Sequence, residues 1–335
     1  MGDLKTLANS TSNSPEITSL LSQLPRAKWW EELDLYLWEG AWYFPSVLES
    51  TLAFRSHFDS SGTTADFILA SNPKTGTTWL KALASYIMNC TRNNDGGGYV
   101  IDENVEDPLL KNHPHELVKT LECVTYLKNQ TPDLSAIPSP RLFHTHLGYN
   151  VLLESIKNST DCKIVYVVRN PNDTFISLWH FMNSARTPEQ GIFPIEEAFE
   201  NFCNGVYIFG PFFDHVLGYW KESLNRPNKV MFIKYEEMKK NPREQVKKLA
   251  SFLGRPLASD EEVDKVVWRC SIDRLKNLEV NKYGMSLWDG LSKSSFFRIG
   301  TVGDWKNYFT SEMKERLEEL TRSSLEGSGL NFEIL

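Results

Sequence analysis

The chain has 335 residues, of which 41% are hydrophobic and 12% aromatic; that is enough to bury a sizeable core and too much for a disordered chain. Its 36 Lys and Arg against 43 Asp and Glu give a formal net charge of −7, which argues against a basic nucleic-acid-binding surface but leaves room for a local anion site. The five cysteines form no C-x-x-C pair and are odd in number, so they read as reduced thiols rather than as a disulfide framework or a metal site.

Residues 1–24 are rich in Ser, Thr and Asn, show no sustained periodicity, and read as a flexible leader to a single domain over residues 25–335. The start lacks the basic-then-apolar pattern of a signal segment, and no run of about 18 apolar residues offers a membrane span. A cytoplasmic location is therefore expected. Met1-Gly2 opens a loose acylation pattern that Asp3 does not support. An aromatic stretch follows, with Trp29, Trp30, Tyr36, Trp38, Trp42, Tyr43 and Phe44. It reads equally as a cover for the core and as the wall of a pocket for a flat ligand.

Asp66 to Ser71 reads as a buried strand, Asn72 to Gly76 as a turn, and Thr77 to Met88 as a helix with Trp79, Leu80, Leu83 and Ile87 near one face. Arg141 to Leu147 is a second strand, and Lys163 to Arg169 is the clearest strand in the chain. The turn Asn170 to Asp173 leads to a helix over Thr174 to Asn183. Lys229 to Tyr235 is another strand, and a helix runs from Pro242 to Phe252 before Gly254. Apolar strands alternating with helices imply an α/β domain with a central parallel sheet flanked by helices. Ligands of such sheets sit beyond the carboxyl ends of the strands. The softest segments are Asn93 to Gly98 and Gly284 to Ser295; the second reads either as a mobile cover or as a plain surface loop.

The segment Asn72-Pro73-Lys74-Thr75-Gly76-Thr77-Thr78-Trp79 lies between a strand and a helix. A helix start there aims unpaired amide N–H groups and a dipole at one point, which suits an anion. Gly76 permits close backbone approach, Lys74 supplies a charge, and Thr77 and Thr78 supply hydroxyls. The nucleotide loop G-x-x-x-x-G-K-[ST] is not matched, because here the lysine precedes the glycine. A magnesium-dependent phosphotransferase would also need metal-holding groups, whereas the best strand ends in Arg169. The pattern favours an anion held by side-chain cations with no obligatory metal.

Four ordered motifs resemble those of the cytosolic sulfotransferases. Pro73 to Trp79 resembles their 5′-phosphosulfate loop, and Phe143 to Leu147 their strand ending in a catalytic histidine. Tyr166 to Ser177 resembles their 3′-phosphate segment. Arg298-Ile299-Gly300 with Gly303 to Asn307 resembles their C-terminal R-K-G-x-x-G-D-W-K-N signature. The resemblance runs from about residue 40 to the C-terminus, and the wording is nearest to plant members acting on flavonoids, steroids and other hormones.

The resemblance implies a P-loop-like sulfotransferase architecture. The implied co-substrate is 3′-phosphoadenylyl sulfate (PAPS), with adenosine 3′,5′-bisphosphate (PAP) as product and no metal. Lys74 and Thr75, Gly76, Thr77, Thr78 and Trp79 would hold the phosphosulfate end, with Lys74 neutralising the bridging oxygen. Arg169 and Ser177 would grip the 3′-phosphate, joined by Arg298 and Gly300. Tyr235 and Ser271 would contact the adenine side, although Tyr235 reads equally as a core aromatic. His146 would be the base that deprotonates the acceptor hydroxyl; such a base contributes about 10²–10⁴-fold. His144 falls on the same face of the strand and could share the site.

The chain departs from the family at Ile299, where lysine is usual and the resemblance leaves a backbone N–H for the 3′-phosphate, and at Ile272, where an aromatic is common. Lys306 to Glu315 partly matches the dimer motif of animal members but also reads as a helix start, so a monomer is favoured and a weak homodimer allowed. The expected activity is sulfonate transfer to a hydroxyl of a small organic acceptor. The alternatives are a non-catalytic ligand-binding relative and, less favoured, a nucleotide-dependent phosphotransferase.

Overall fold

The computed structural model describes residues 14–30, 33–58, 66–93, 96–286 and 291–332. Nine strands are present among them. Strands β1 (Arg26–Trp29), β2 (Leu33–Trp38) and β3 (Ala41–Tyr43) form an antiparallel sheet. The short β5 (Thr91–Arg92) and β6 (Tyr99–Val100) pair with each other. The central sheet takes the order β7 (Arg141–Thr145), β4 (Asp66–Ser71), β8 (Cys162–Val168), β9 (Val230–Lys234), and every pairing is parallel.

Parallel strands buried on both faces carry continuous apolar runs. All six residues of β4 are buried, as are six of the seven in β8. Alternate side chains feed two cores. Ile68, Ala70, Ile164, Tyr166 and Val168 join one cluster, while Phe67, Leu69, Val165 and Val167 join the other. The register is pinned at the amino ends of β4 and β7, where Asp66 pairs with Arg141 in the ladder. There Arg141 Nε and one terminal nitrogen each donate to an Asp66 carboxylate oxygen at 2.7 Å. A buried, bidentate pair of this kind has its charges satisfied only in one alignment.

The longer helices are α1 (Pro15–Gln23), α2 (Pro45–His57), α3 (Thr77–Met88), α4 (Pro171–Asn183), α5 (Phe212–Asn225), α6 (Pro242–Phe252), α7 (Asp260–Arg269) and α8 (Ser311–Leu325). Of the leader expected over residues 1–24, residues 1–13 lie outside the described residues. The rest contains α1, which lacks a fully buried residue but packs Leu20 and Leu21 on the core. Helix α4 begins at Pro171, three residues before the expected start, because Asn170 is a cap and not a turn residue: its side chain accepts from the Asp173 N–H at 2.8 Å. Among the described residues no helix is long and apolar enough to cross a membrane.

The N-terminal sheet braces the ligand-binding edge of the domain. The backbone of Trp42 donates to Gly210 at 3.1 Å and accepts from Phe209 at 2.8 Å, which fixes the segment carrying the Phe209 ring. Of the aromatic stretch, Trp29 and Phe44 reach the cavity described next, while Tyr43 is fully buried in the core.

Candidate active site

A cavity of about 460 Å³ opens beyond the carboxyl ends of β4, β7 and β8. Eleven of the fourteen residues singled out by sequence line it: Lys74, Gly76, Thr77, Thr78, Trp79, His146, Arg169, Ser177, Tyr235, Arg298 and Gly300. Three do not. Thr75 is buried and its hydroxyl donates to the carbonyls of Asn72 (2.8 Å) and Val167 (3.0 Å), tying the loop to β8. Ser271 caps the turn Ile272–Leu275 by accepting from the Arg274 N–H. Ile299 is 43% exposed.

The loop geometry demands glycine at one point. Gly76 has φ +118°, and a Cβ there would stand 2.9 Å from the Tyr235 ring and 3.4 Å from Val167. The backbone therefore lies directly on Tyr235, just before α3 begins at Thr77. Lys74, itself at φ +68°, holds its ammonium 3.8 Å from the centre of the Phe181 ring. Cation–π attraction of this kind keeps a charge poised in an apolar wall.

Arg169 follows β8 directly. Its guanidinium donates to the Thr301 carbonyl at 2.6 Å, lies 3.4 Å from the Asp173 carboxylate and stacks 4.8 Å from the Tyr235 ring. Asp173 also accepts from the N–H groups of Gly303 (2.8 Å) and Trp305 (3.2 Å). The Tyr235 hydroxyl donates to the Gly300 carbonyl at 3.0 Å, so the 298–305 segment is clamped onto the end of β8. Burial raises the Tyr235 hydroxyl to about 12, which keeps it protonated as a donor. Arg169 Nε is buried with no hydrogen-bond partner among the described residues. Such a group is costly unless something accepts from it, and an anion's oxygen would. The donor set therefore fits a phosphate. Ser177, one helical face along α4, shares this wall. Ile272 also lines it and touches Gly300, where a Cβ would come within 2.7 Å of its side chain.

His146 stands just past β7. Its Nδ1 lies 2.8 Å from the Ser71 carbonyl oxygen, which can only accept, so Nδ1 carries the proton and Nε2 the lone pair. The ring packs 5.4 Å from Phe209, and its backbone N–H donates to Glu122 at 2.7 Å. Burial lowers its pKa to about 3 against the opposing pull of the Ser71 bond. His144 does not line the cavity it was expected to share: it is fully buried, with Nε2 3.0 Å from Ser71 Oγ and Nδ1 3.0 Å from Thr120 Oγ1. Glu122, fully buried and raised above the usual carboxylate range by burial, was not legible in the sequence. It holds both Thr145 (2.9 Å) and His146 in place.

One stretch of the remaining wall is apolar, with Trp29, Phe44, Val124, Phe181, Phe209 and Phe296. Ser286, Ser292, Ser294 and Ser295 reach the cavity from the segment read either as a cover or as a surface loop, of which residues 287–290 lie outside the described residues. Lys293 ties that segment to Glu116 at 2.7 Å.

Comparison with known proteins gives a consistent result. The sulfotransferase domain model matches residues 64–329. The chain is 44% identical over 322 residues to cytosolic sulfotransferase 5 of Arabidopsis thaliana, covering 95% of this chain and 96% of that one. It is 43% identical to cytosolic sulfotransferase 6 of the same plant, covering 95% of each. Among solved structures, a candidate steroid sulphotransferase of Arabidopsis thaliana superposes with a TM-score of 0.73 at 35% identity, covering 97% of this chain and 99% of that one. Mouse sulfotransferase SULT7A1, solved with PAP, superposes at 0.65 with 28% identity, covering 88% and 95%.

Proposed function

The chain belongs to the sulfotransferase family, and we propose that it transfers the sulfonate of PAPS to a hydroxyl of a small, flat, largely apolar acceptor, with His146 as the general base. It is a PAPS-dependent sulfotransferase enzyme. The observation that carries the residue roles is the sharing of one cavity by Lys74, Arg169 and His146. Lys74 with the α3 amino terminus forms one cationic end, and Arg169 with Arg298 the other. A donor charged at two separate places matches both.

The donor supplies an activated sulfonate, and the residues supply position and charge. Lys74 and the loop amides stabilise negative charge on the departing oxygen, preorganised in an apolar wall. Arg169, Ser177 and the amide of Gly300 anchor the far phosphate; Trp79, Tyr235 and Ile272 make the adenine wall. His146 Nε2 takes the acceptor's hydroxyl proton. Beside a bound anion the imidazole is a stronger base than when empty, since nearby negative charge favours its protonated form. The apolar end of the cavity supports a neutral aromatic or polycyclic acceptor.

The cytosolic naming of the relatives supports the expected cytoplasmic location. We also read the protein as a monomer. Thr310, in the stretch that resembles a dimer motif, caps α8 by accepting from the Met313 N–H, a use that needs no second copy.

The test is mass spectrometry of the protein with PAPS and a panel of flavonoids, steroids, hydroxy-jasmonates and desulfo-glucosinolates. Gain of one sulfonate on a neutral flat acceptor is expected. Turnover confined to the jasmonate carboxylates or the glucosinolates would overturn the acceptor class.

A further inference from the structure

Behind the phosphate loop runs a branched chain of hydrogen-bonded side chains rooted at a lysine that the chemistry above does not use. Lys81, on α3 and fully buried, donates from Nζ to Thr120 Oγ1 at 2.9 Å and stands 3.3 Å from His115 Nδ1. On one branch, His115 Nε2 lies 3.0 Å from Thr78 Oγ1. On the other, Thr120 Oγ1 lies 3.0 Å from His144 Nδ1, His144 Nε2 lies 3.0 Å from Ser71 Oγ, and Ser71 Oγ lies 2.7 Å from Thr77 Oγ1. Both branches start at one amine and end on two adjacent hydroxyls of the cavity wall.

The direction of each proton follows from the root. Burial lowers the Lys81 pKa to about 7, so below pH 7 its Nζ is an ammonium, which donates and never accepts. His115 therefore accepts at Nδ1, carries its proton on Nε2 and donates to Thr78. Thr120 accepts from Lys81 and so donates onward to His144 Nδ1. His144 then donates from Nε2 to Ser71, and Ser71 donates to Thr77. Burial holds both imidazoles well below the usual histidine range, so each ring carries one proton. The oxygens of Thr77 and Thr78 are thus each occupied from behind, and their own hydrogens are left for the cavity.

We propose that Lys81 is a positioning residue for sulfonate transfer: by fixing the hydrogen-bond direction along both branches, it makes the Thr77 and Thr78 hydroxyls donors toward the phosphosulfate. This rests on the reading that the loop holds the phosphosulfate end of the donor. Donation to an anion is charge-assisted, and bonds in a chain polarise one another, so a fixed root strengthens the two terminal contacts.

Imidazole ¹⁵N NMR of the wild-type protein at about pH 6, where Lys81 is an ammonium, tests the direction without any substitution. His115 and His144 should both be neutral with the proton on Nε2, with and without PAP. An Nδ1–H form of either ring would overturn the proposal. Calorimetry supplies the functional readout. Lys81→Met should weaken PAP binding roughly tenfold, the size of a lost charge-assisted contact. In the Thr77→Val/Thr78→Val background the same change should fall within about twofold, since the groups through which Lys81 acts are gone. Equal losses in both backgrounds would mean a merely structural lysine and would overturn it. Failure of the wild-type protein to bind PAP would overturn the donor reading as well, whereas PAP binding together with an Nδ1–H ring would overturn this inference alone.

Discussion

His146 is joined to the Ser71 carbonyl by a 2.8 Å hydrogen bond, and that bond decides which nitrogen of the ring can act as a base. The Ser71 oxygen lies at the end of β4 and the imidazole just past β7, so the parallel pairing of these two strands sets the tautomer. His146→Ala removes the proposed base but no cation of the proposed donor site. The turnover number should fall about 10²–10⁴-fold while PAP affinity measured by calorimetry stays near the wild-type value. A variant with near-normal turnover would refute the assignment of the base.

Arg169 is predicted to read the 3′-phosphate and little else of the donor. Arg169→Ala removes one buried charge and leaves Thr301 without its 2.6 Å partner. A hydrogen bond to a charged group is worth about 1.5–3 kcal/mol, so PAP should bind about 10- to 150-fold more weakly. Adenosine 5′-phosphate, which lacks the 3′-phosphate, should lose much less. Equal losses for the two nucleotides would show that Arg169 merely supports the 298–305 segment.

Much of this site was legible because local chemistry demanded it. Strand β4 has an apolar centre, Phe67 to Ala70, followed by a turn, and its ends fall where expected, as do those of α3. The sharp turn between β4 and α3 showed itself through Gly76. The reading of Asn170 to Asp173 as a turn failed because capping asparagine and turn asparagine look alike until the helix is seen to start at proline. The N-terminal antiparallel sheet was hidden within aromatic-dense sequence whose strands are only three to six residues long. Glu122 gave no signal, since the groups that satisfy it, the Thr145 hydroxyl and the His146 N–H, lie 23 and 24 residues away. His144 ends up inside the fold and His146 on the cavity wall, and only their partners distinguish the two rings, which stand two residues apart in sequence.

Gly76→Ala tests the loop itself. The residue would be held at φ +118° with its new methyl 2.9 Å from the Tyr235 ring carbon. Strain at such a backbone position costs on the order of 1–3 kcal/mol. Relieving it means moving Tyr235, whose hydroxyl holds Gly300. Both the melting temperature and PAP affinity should drop. A loss of stability with unchanged PAP affinity would show that the loop does not cradle the donor.

Acid should destabilise the empty protein well before its carboxylates titrate. Burial lowers His113 and His146 to about 3 and His215 to about 4, and drives His115 and His144 down as well. An unfolded chain protonates these rings near pH 6.5, while the folded protein keeps His113, His146 and His215 neutral until about pH 3 to 4 and holds His115 and His144 well below the usual range. In that window the unfolded state binds more protons, so their stabilising contribution is whole above pH 6.5 and is lost as pH falls. Each ring adds a slope of up to about 1.4 kcal/mol per pH unit. Glu122 works the other way: its raised pKa lets the folded state keep a proton that the unfolded chain gives up, but it is one group against five. The melting temperature should therefore fall steadily from pH 7 to pH 5. His215→Asn, which removes one such ring from behind His146, should flatten that slope, and a profile already flat in the wild-type protein over this range would mean that these rings are not buried as neutral groups.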